Sequence, residues 1–160
     1  MKILLITDQH FGVRNDNQHF INHYAKFYGR VVIPFMKASG IKEVISLGDT
    51  FDRRRYINFM SLDSAKEMWF DELEKLGCSH TMLIGNHDIY YKNTLRINAP
   101  HEILRNYDFD IIDKPTTKSY DGVDILLLPW ICDDNKSEVF EAVQRSKAPV
   151  CMGHLELNGF

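Results

Sequence analysis

The chain has 160 residues, 44% of them hydrophobic and 26% charged, with a formal net charge of −3. That is enough chain for one domain with a real core. The mildly acidic balance excludes a globally basic nucleic-acid binder, so any DNA contact must come from a local patch aided by bound metal. The apolar stretches are too short to span a membrane, and Met1-Lys2 runs straight into a strand pattern with no leader-type cleavage site.

A strand is predicted over 2–7 (KILLIT). Residues 17–39 follow with helical spacing, Phe20, Tyr24, Phe27, Val31 and Phe35 recurring at three- and four-residue steps, with a kink or break expected at Gly29 or Pro34 and a stop at Gly40. A strand at 43–47 precedes a helix that Ser61 would cap and that runs to Leu76 before Gly77. After a strand at 80–84, Asn98 caps a short helix with Pro100 in its first turn. Strands at 109–112 and 123–128 flank a turn at Asp121-Gly122, and a helix at 136–146 leads into a last strand at 149–152. This alternation predicts an α/β sheet covered by helices. Cys78, Cys132 and Cys151 are odd in number and irregularly spaced, so they read as thiols of a reducing, cytoplasmic compartment.

Four of the strands end in metal-type ligands: Asp8-Gln9-His10, Gly48-Asp49-Thr50-Phe51-Asp52, Gly85-Asn86-His87-Asp88 and Gly153-His154. Taken singly, each reads equally well as a polar turn. Taken together, at the carboxyl ends of buried strands, they read as one metal centre. A two-metal phosphoesterase needs ions about 3.5–4 Å apart that clamp the attacking and leaving oxygens. One carboxylate can bridge them, and imidazoles with an amide oxygen can complete the shells without repelling a phosphodiester. Two Asp, two His and one Asn suit Mn²⁺, Fe or Zn²⁺ better than Ca²⁺. Asp8 and His10, two apart in a β-conformation, would reach one ion together. His87 would point to substrate as a general acid, oriented by Asp88. Arg53-Arg54-Arg55 either grips DNA phosphates beside the ions or is a solvated charged loop. Tyr90-Tyr91 could stack on a base or pack the loop, Trp69 and Phe70 read as core or interface, and Trp130 as packing beneath the site.

These motifs, in this order, resemble the calcineurin-like metallophosphoesterase superfamily, and within it the DNA-repair nucleases of the SbcD type, phage recombination members included. Tyr91-Lys92-Asn93, Asp113-Lys114-Pro115-Thr116-Thr117, Pro129-Trp130 and Gly153 to Phe160 extend the likeness over the whole chain. The resemblance implies an α/β sandwich of two sheets flanked by helices, incomplete at its C-terminus. It implies Asp8 and His10 on the first metal, Asp49 bridging, Asn86 and His154 on the second, His87 at the leaving oxygen, and Asp52 fixing ligand geometry. It also implies two divalent ions, Mn²⁺ foremost, DNA as substrate, an SMC-like ATPase partner, a homodimer, and the host cytoplasm for a phage-encoded chain. The family's final Gly-His-x-His is absent, and His154 lies six positions from the last residue. The expectation is therefore a 1–160 nuclease domain cut before that motif: a DNA nuclease subunit of recombination and repair, or else an inactive remnant, or a piece that works only with a separate chain carrying the C-terminal half. A phosphomonoesterase would use the same chemistry on another substrate.

Overall fold

The computed structural model describes residues 1–156, so the terminal segment Leu157-Asn158-Gly159-Phe160 lies outside the described residues. Strands β1 (Ile3–Ile6), β2 (Glu43–Ser46), β3 (Ser79–Leu83) and β4 (Phe109–Ile112) form a parallel sheet in that order. Leu4 lies opposite Val44, Ile45 opposite Thr81, and Leu83 opposite Ile112. A parallel sheet is covered on both faces, which is why successive residues of β2 and β3 are buried, the polar Ser46, His80 and Thr81 among them. β1 is an edge strand, and its Leu5 is 47% exposed.

One face carries two long helical segments. The first comprises α1 (Gln18–Phe27), a π-helical turn at Tyr28–Val32 and α2 (Ile33–Ser39), and it stops at Gly40 in the left-handed region. The expected break is instead this π turn: the Ile33 N–H bonds the Tyr28 carbonyl five residues back, and Pro34, which has no N–H, follows where the register resets. The second comprises α3 (Phe59–Ala65), a π turn at Lys66–Phe70 and α4 (Asp71–Lys75). Its cap is Asn58, which accepts from the Met60 N–H at 2.9 Å. Ser61 sits buried in the first turn and donates to Asp16 Oδ1 at 2.6 Å. Trp69, Phe70, Leu73 and Met36 pack with Val44, Met82, Phe11 and Phe51 as the main core.

The opposite face packs on a three-stranded sheet of β5 (Thr116–Tyr120), β6 (Val123–Leu128) and β7 (Val150–Gly153). Ile45, Leu83 and Ile112 meet Tyr120, Ile125 and Leu127 between the sheets. The turn at Asp121-Gly122, with φ of 53° and 82°, joins β5 to β6 as a hairpin. Two successive positive-φ residues match the twist of paired strands. α5 (Ala99–Ile103) is capped by Asn98, which accepts from the His101 N–H at 3.0 Å. α6 (Lys136–Arg145) covers the outside of the second sheet through Val139. Among the described residues, no helix is long and apolar enough to cross a membrane. The three cysteines are unpaired.

Candidate metal centre

Three ligand loops leave the first sheet at the ends of β1, β2 and β3, and backbone bonds zip two of them together. Asp8 N–H donates to the Gly48 carbonyl at 3.1 Å, His10 N–H to Asp49 at 3.0 Å and Phe11 N–H to Thr50 at 2.9 Å. The fourth ligand, His154, follows β7, so it crosses from the second sheet. Glycines permit the close approach. A Cβ on Gly48 would lie 2.7 Å from His154 Nδ1, and one on Gly85 2.2 Å from Asp49 N.

Asp49 sits at the centre and is buried. Its Oδ2 is 3.6 Å from His10 Nε2, which is 3.5 Å from Asp8 Oδ1. Its Oδ1 is 3.4 Å from His154 Nε2, which lies 2.9 Å from Asn86 Oδ1. The two oxygens of one carboxylate thus face two different imidazoles, and the Asn86 amide lies 3.3 Å from Oδ2. Ligand-type atoms of Asp8, Asp49 and His154, and of His10, Asp49 and His87, lie within 4.8 Å of one another. Asp8 and His10 do share one side of the chain, but by a different route from the β-conformation expected. Both have left-handed backbones, with φ of 50° and 45°, while Gln9 turns inward to the Tyr28 hydroxyl.

The donor chemistry fits a cation. His154 Nδ1 lies 2.8 Å from the Leu47 carbonyl, which can only accept, so Nδ1 carries the proton and Nε2 faces two acceptor oxygens. A proton or a metal ion at Nε2 reconciles those atoms, as does the Asn86 amide turned so that its NH₂ donates to Nε2 at 2.9 Å. Burial opposes a charged His154 ring, but the Asp49 carboxylate and the Leu47 carbonyl hold its pKa above the ordinary value. Burial would likewise push the Asp49 carboxyl up. Hydrogen bonds from His154 and the His87 backbone N–H outweigh it and hold that carboxyl below its usual range. Asp49 is therefore an anion ready to bridge.

The supporting residues divide the work differently from the sequence expectation. Asp88 does not orient His87. It is fully buried and accepts from the backbone N–H groups of Gly85 (2.9 Å), Thr50 (3.0 Å) and Phe51 (3.2 Å), tying the second loop to the third. Burial pushes its carboxyl up to about 7 against those three donors. His87 is held instead by the backbone carbonyl of Asp52, 2.6 Å from its Nδ1, so Nε2 is the face left for chemistry. The Asp52 carboxylate lies 3.5 Å from His10 Nδ1. The rings of His10 and His87 meet edge to face at 4.8 Å, and Trp130 lies beside His154 with centroids 5.9 Å apart.

The arginines that follow diverge. Arg53 pairs with Asp16 at 2.8 Å and donates to Asn15 Oδ1 at 2.7 Å. Arg54 Nη2 lies 3.3 Å from the Asn86 side-chain amide, whose oxygen can accept from it. Arg55 is exposed, over the Tyr90 ring at 5.6 Å. The sequence offered no signal for the Leu47 and Asp52 carbonyls, because backbone acceptors carry no residue code.

The family profile described as Calcineurin-like phosphoesterase matches residues 1–155. The chain is 38% identical, over its whole length, to Exonuclease subunit 1 of Enterobacteria phage T4, and spans 47% of that relative. A protein of unknown function from Aquifex aeolicus shares the fold, with a TM-score of 0.54 and 18% identity over 98% of this chain and 80% of that one. With a cluster of side chains that could hold metal at the strand ends and the sandwich that presents it in place, the chain belongs to the calcineurin-like phosphoesterase family.

Proposed function

We propose that this chain carries the metal-binding core of a divalent-metal-dependent DNA nuclease that hydrolyses phosphodiesters in recombination and repair. The observation that carries the reading is the double-faced Asp49: His10 Nε2 lies against its Oδ2 and His154 Nε2 against its Oδ1, with Asp8 beside the first imidazole and Asn86 beside the second. The likeness to a phage exonuclease subunit supports DNA over other phosphoesters. By the same likeness we infer Mn²⁺ as the native ion, an SMC-like ATPase partner and a homodimer.

When bound, the two ions supply charge stabilisation at the phosphoryl group and lower the pKa of the attacking water. The chain's own residues do the rest. Asp49 fixes the spacing of the two donor groups. The Asp52 carbonyl holds His87 Nδ1–H, so that Nε2 can carry a proton to the leaving oxygen. The Asp52 carboxylate steadies the His10 ring. Asp88 locks the Asp49 and Asn86 loops at a fixed separation.

A second reading, a piece that works only when joined to a C-terminal half, is favoured by the free edge of β1. Leu5 there and Phe27 on α1 border a groove of about 300 Å³, and both are exposed. Cleavage of linear DNA with Mn²⁺, by wild type and His87→Ala, with and without a C-terminal polypeptide of the phage relative, tests both readings. We expect His87-dependent cleavage. Its absence even with the added polypeptide would defeat the nuclease reading, and faster turnover of phosphomonoesters than of DNA would move the substrate class.

A further inference from the structure

We propose that Arg54 is the side chain through which this centre grips the phosphoryl oxygens of its substrate, while its two neighbours serve the loop itself. The proposal rests on the phosphoester reading above and narrows it to one residue.

Three consecutive guanidinium groups leave the second ligand loop, and in sequence they are interchangeable. Arg53 turns back into the protein. Nη1 meets Asp16 Oδ2 at 2.8 Å, Nη2 donates to Asn15 Oδ1 at 2.7 Å, and the group lies over the Tyr56 ring at 4.9 Å. Its charge is matched and its donors are engaged, so it has little left for a ligand. Arg55 turns outward and rests over the Tyr90 ring at 5.6 Å, in the exposed part of the loop.

Arg54 turns to the metal centre. Its Nη2 comes within 3.3 Å of the Asn86 side-chain amide, whose oxygen accepts from it when the NH₂ donates to Asp49 Oδ2 (3.3 Å) and His154 Nε2 (2.9 Å), so Arg54 stands against a side chain of the metal centre itself. Of the triplet, Arg53 alone has an ion pair among the described residues. Arg54 is thus a half-buried guanidinium without a carboxylate partner. Such a group is costly to keep partly out of water, and an anion arriving at the centre offsets that cost.

The chemistry of the anion follows from the donors. A guanidinium offers two parallel N–H groups in a plane, which match two oxygens of one phosphoryl group. Arg54 stands next to Asn86, so it would hold the phosphoryl group beside the side chains that would hold the ions. It also distinguishes a phosphate from a neutral ligand of similar size, since a neutral ligand would leave the cation unmatched.

The test titrates Mn²⁺, and then inorganic phosphate with Mn²⁺ saturating, into wild type, Arg54→Ala, Arg54→Lys and Arg55→Ala by calorimetry. Arg54→Ala should weaken phosphate binding at least tenfold while Mn²⁺ affinity stays within threefold. Arg54→Lys should recover part of the loss, because a point charge replaces the fork. Arg55→Ala removes the same charge from the same loop and should stay within twofold of wild type. Should Arg54→Ala fail to fold by circular dichroism, Arg54→Met carries the comparison. Equal phosphate affinity in wild type and the Arg54 variant overturns the assignment, as do equal losses in the Arg54 and Arg55 variants, or a wild type that binds Mn²⁺ but no phosphate. A wild type that binds no Mn²⁺ defeats the metal centre, and the assignment falls with it.

Discussion

Gly85 and Asp49 are packed so closely that a methyl group on Gly85 would sit 2.2 Å from both the backbone nitrogen and Oδ1 of Asp49. Neither neighbour gives way readily, since one is backbone and the other is the buried Asp49 carboxylate. Gly85→Ala should therefore destabilise the fold by about 1–3 kcal/mol through overpacking. It should also abolish tight Mn²⁺ binding, because Asp49 must move. A thermal melt and a Mn²⁺ titration of the variant check both, and unchanged values would contradict the close approach.

His154 is the candidate ligand that the second sheet contributes. His154→Ala should weaken Mn²⁺ binding by one to two orders of magnitude, about the loss seen when an orienting partner of a metal ligand is removed, or more. Its raised pKa adds a pH signature. Below that pKa a proton competes with the ion for Nε2, so affinity should rise as pH rises through it, with proton release on binding. Calorimetry in two buffers of different ionisation enthalpy measures the protons released. A pH-independent affinity would mean that the ring does not ligate.

His80 is far from this chemistry and offers a cleaner titration. It is fully buried among Trp69, Phe70 and Phe109, with Nε2 2.7 Å from Ser46 Oγ. Burial drives its pKa down from 6.5 to about 3. Between those values the unfolded chain binds a proton that the folded protein excludes. The folded state is thus unaffected by this group above pH 6.5 and loses stability as pH falls, at about 1.4 kcal/mol per pH unit. Subtracting urea-unfolding curves of His80→Asn from wild type across pH 4 to 8 should isolate that slope. A flat difference would place a charged ring in the core.

Arg53 holds the left-handed turn at Arg14, Asn15 and Asp16, all with φ between 55° and 60°. Asp16 is mostly buried and also accepts from Ser61. Arg53→Ala should therefore cost about 1.5–3 kcal/mol, the range for hydrogen bonds to charged groups. Arg53→Lys should restore part of it. A melting temperature unchanged by the alanine variant would show the pair to be surface decoration.

The candidate ligands were legible because each cluster follows an apolar run and three of the four runs end in glycine, so the residue code and its strand context agree. Asp88 was misread since its three partners are backbone N–H groups, two of them on Thr50 and Phe51, which no local pattern links to it. Ser61 and Asn58 are both cap-type residues three positions apart in one turn, and the deciding contact with Asp16 comes from 45 residues away. β5 escaped notice because Thr116, Thr117, Lys118 and Ser119 are polar and only Tyr120 is buried. The arginine triplet reads as one feature in sequence, and only the fold gives its members three directions.

Asp8, His10 and Asp49 all hold left-handed backbone, with φ of 50°, 45° and 54°. Most side chains adopt that conformation at a penalty of about 1–2 kcal/mol, whereas asparagine and aspartate visit it routinely. An alanine scan across this centre would therefore confuse two losses, the ligand and the local shape that presents it. Asparagine at positions 8 and 49 removes the charge while sparing the turn, so variants built that way report the electrostatics of the centre alone.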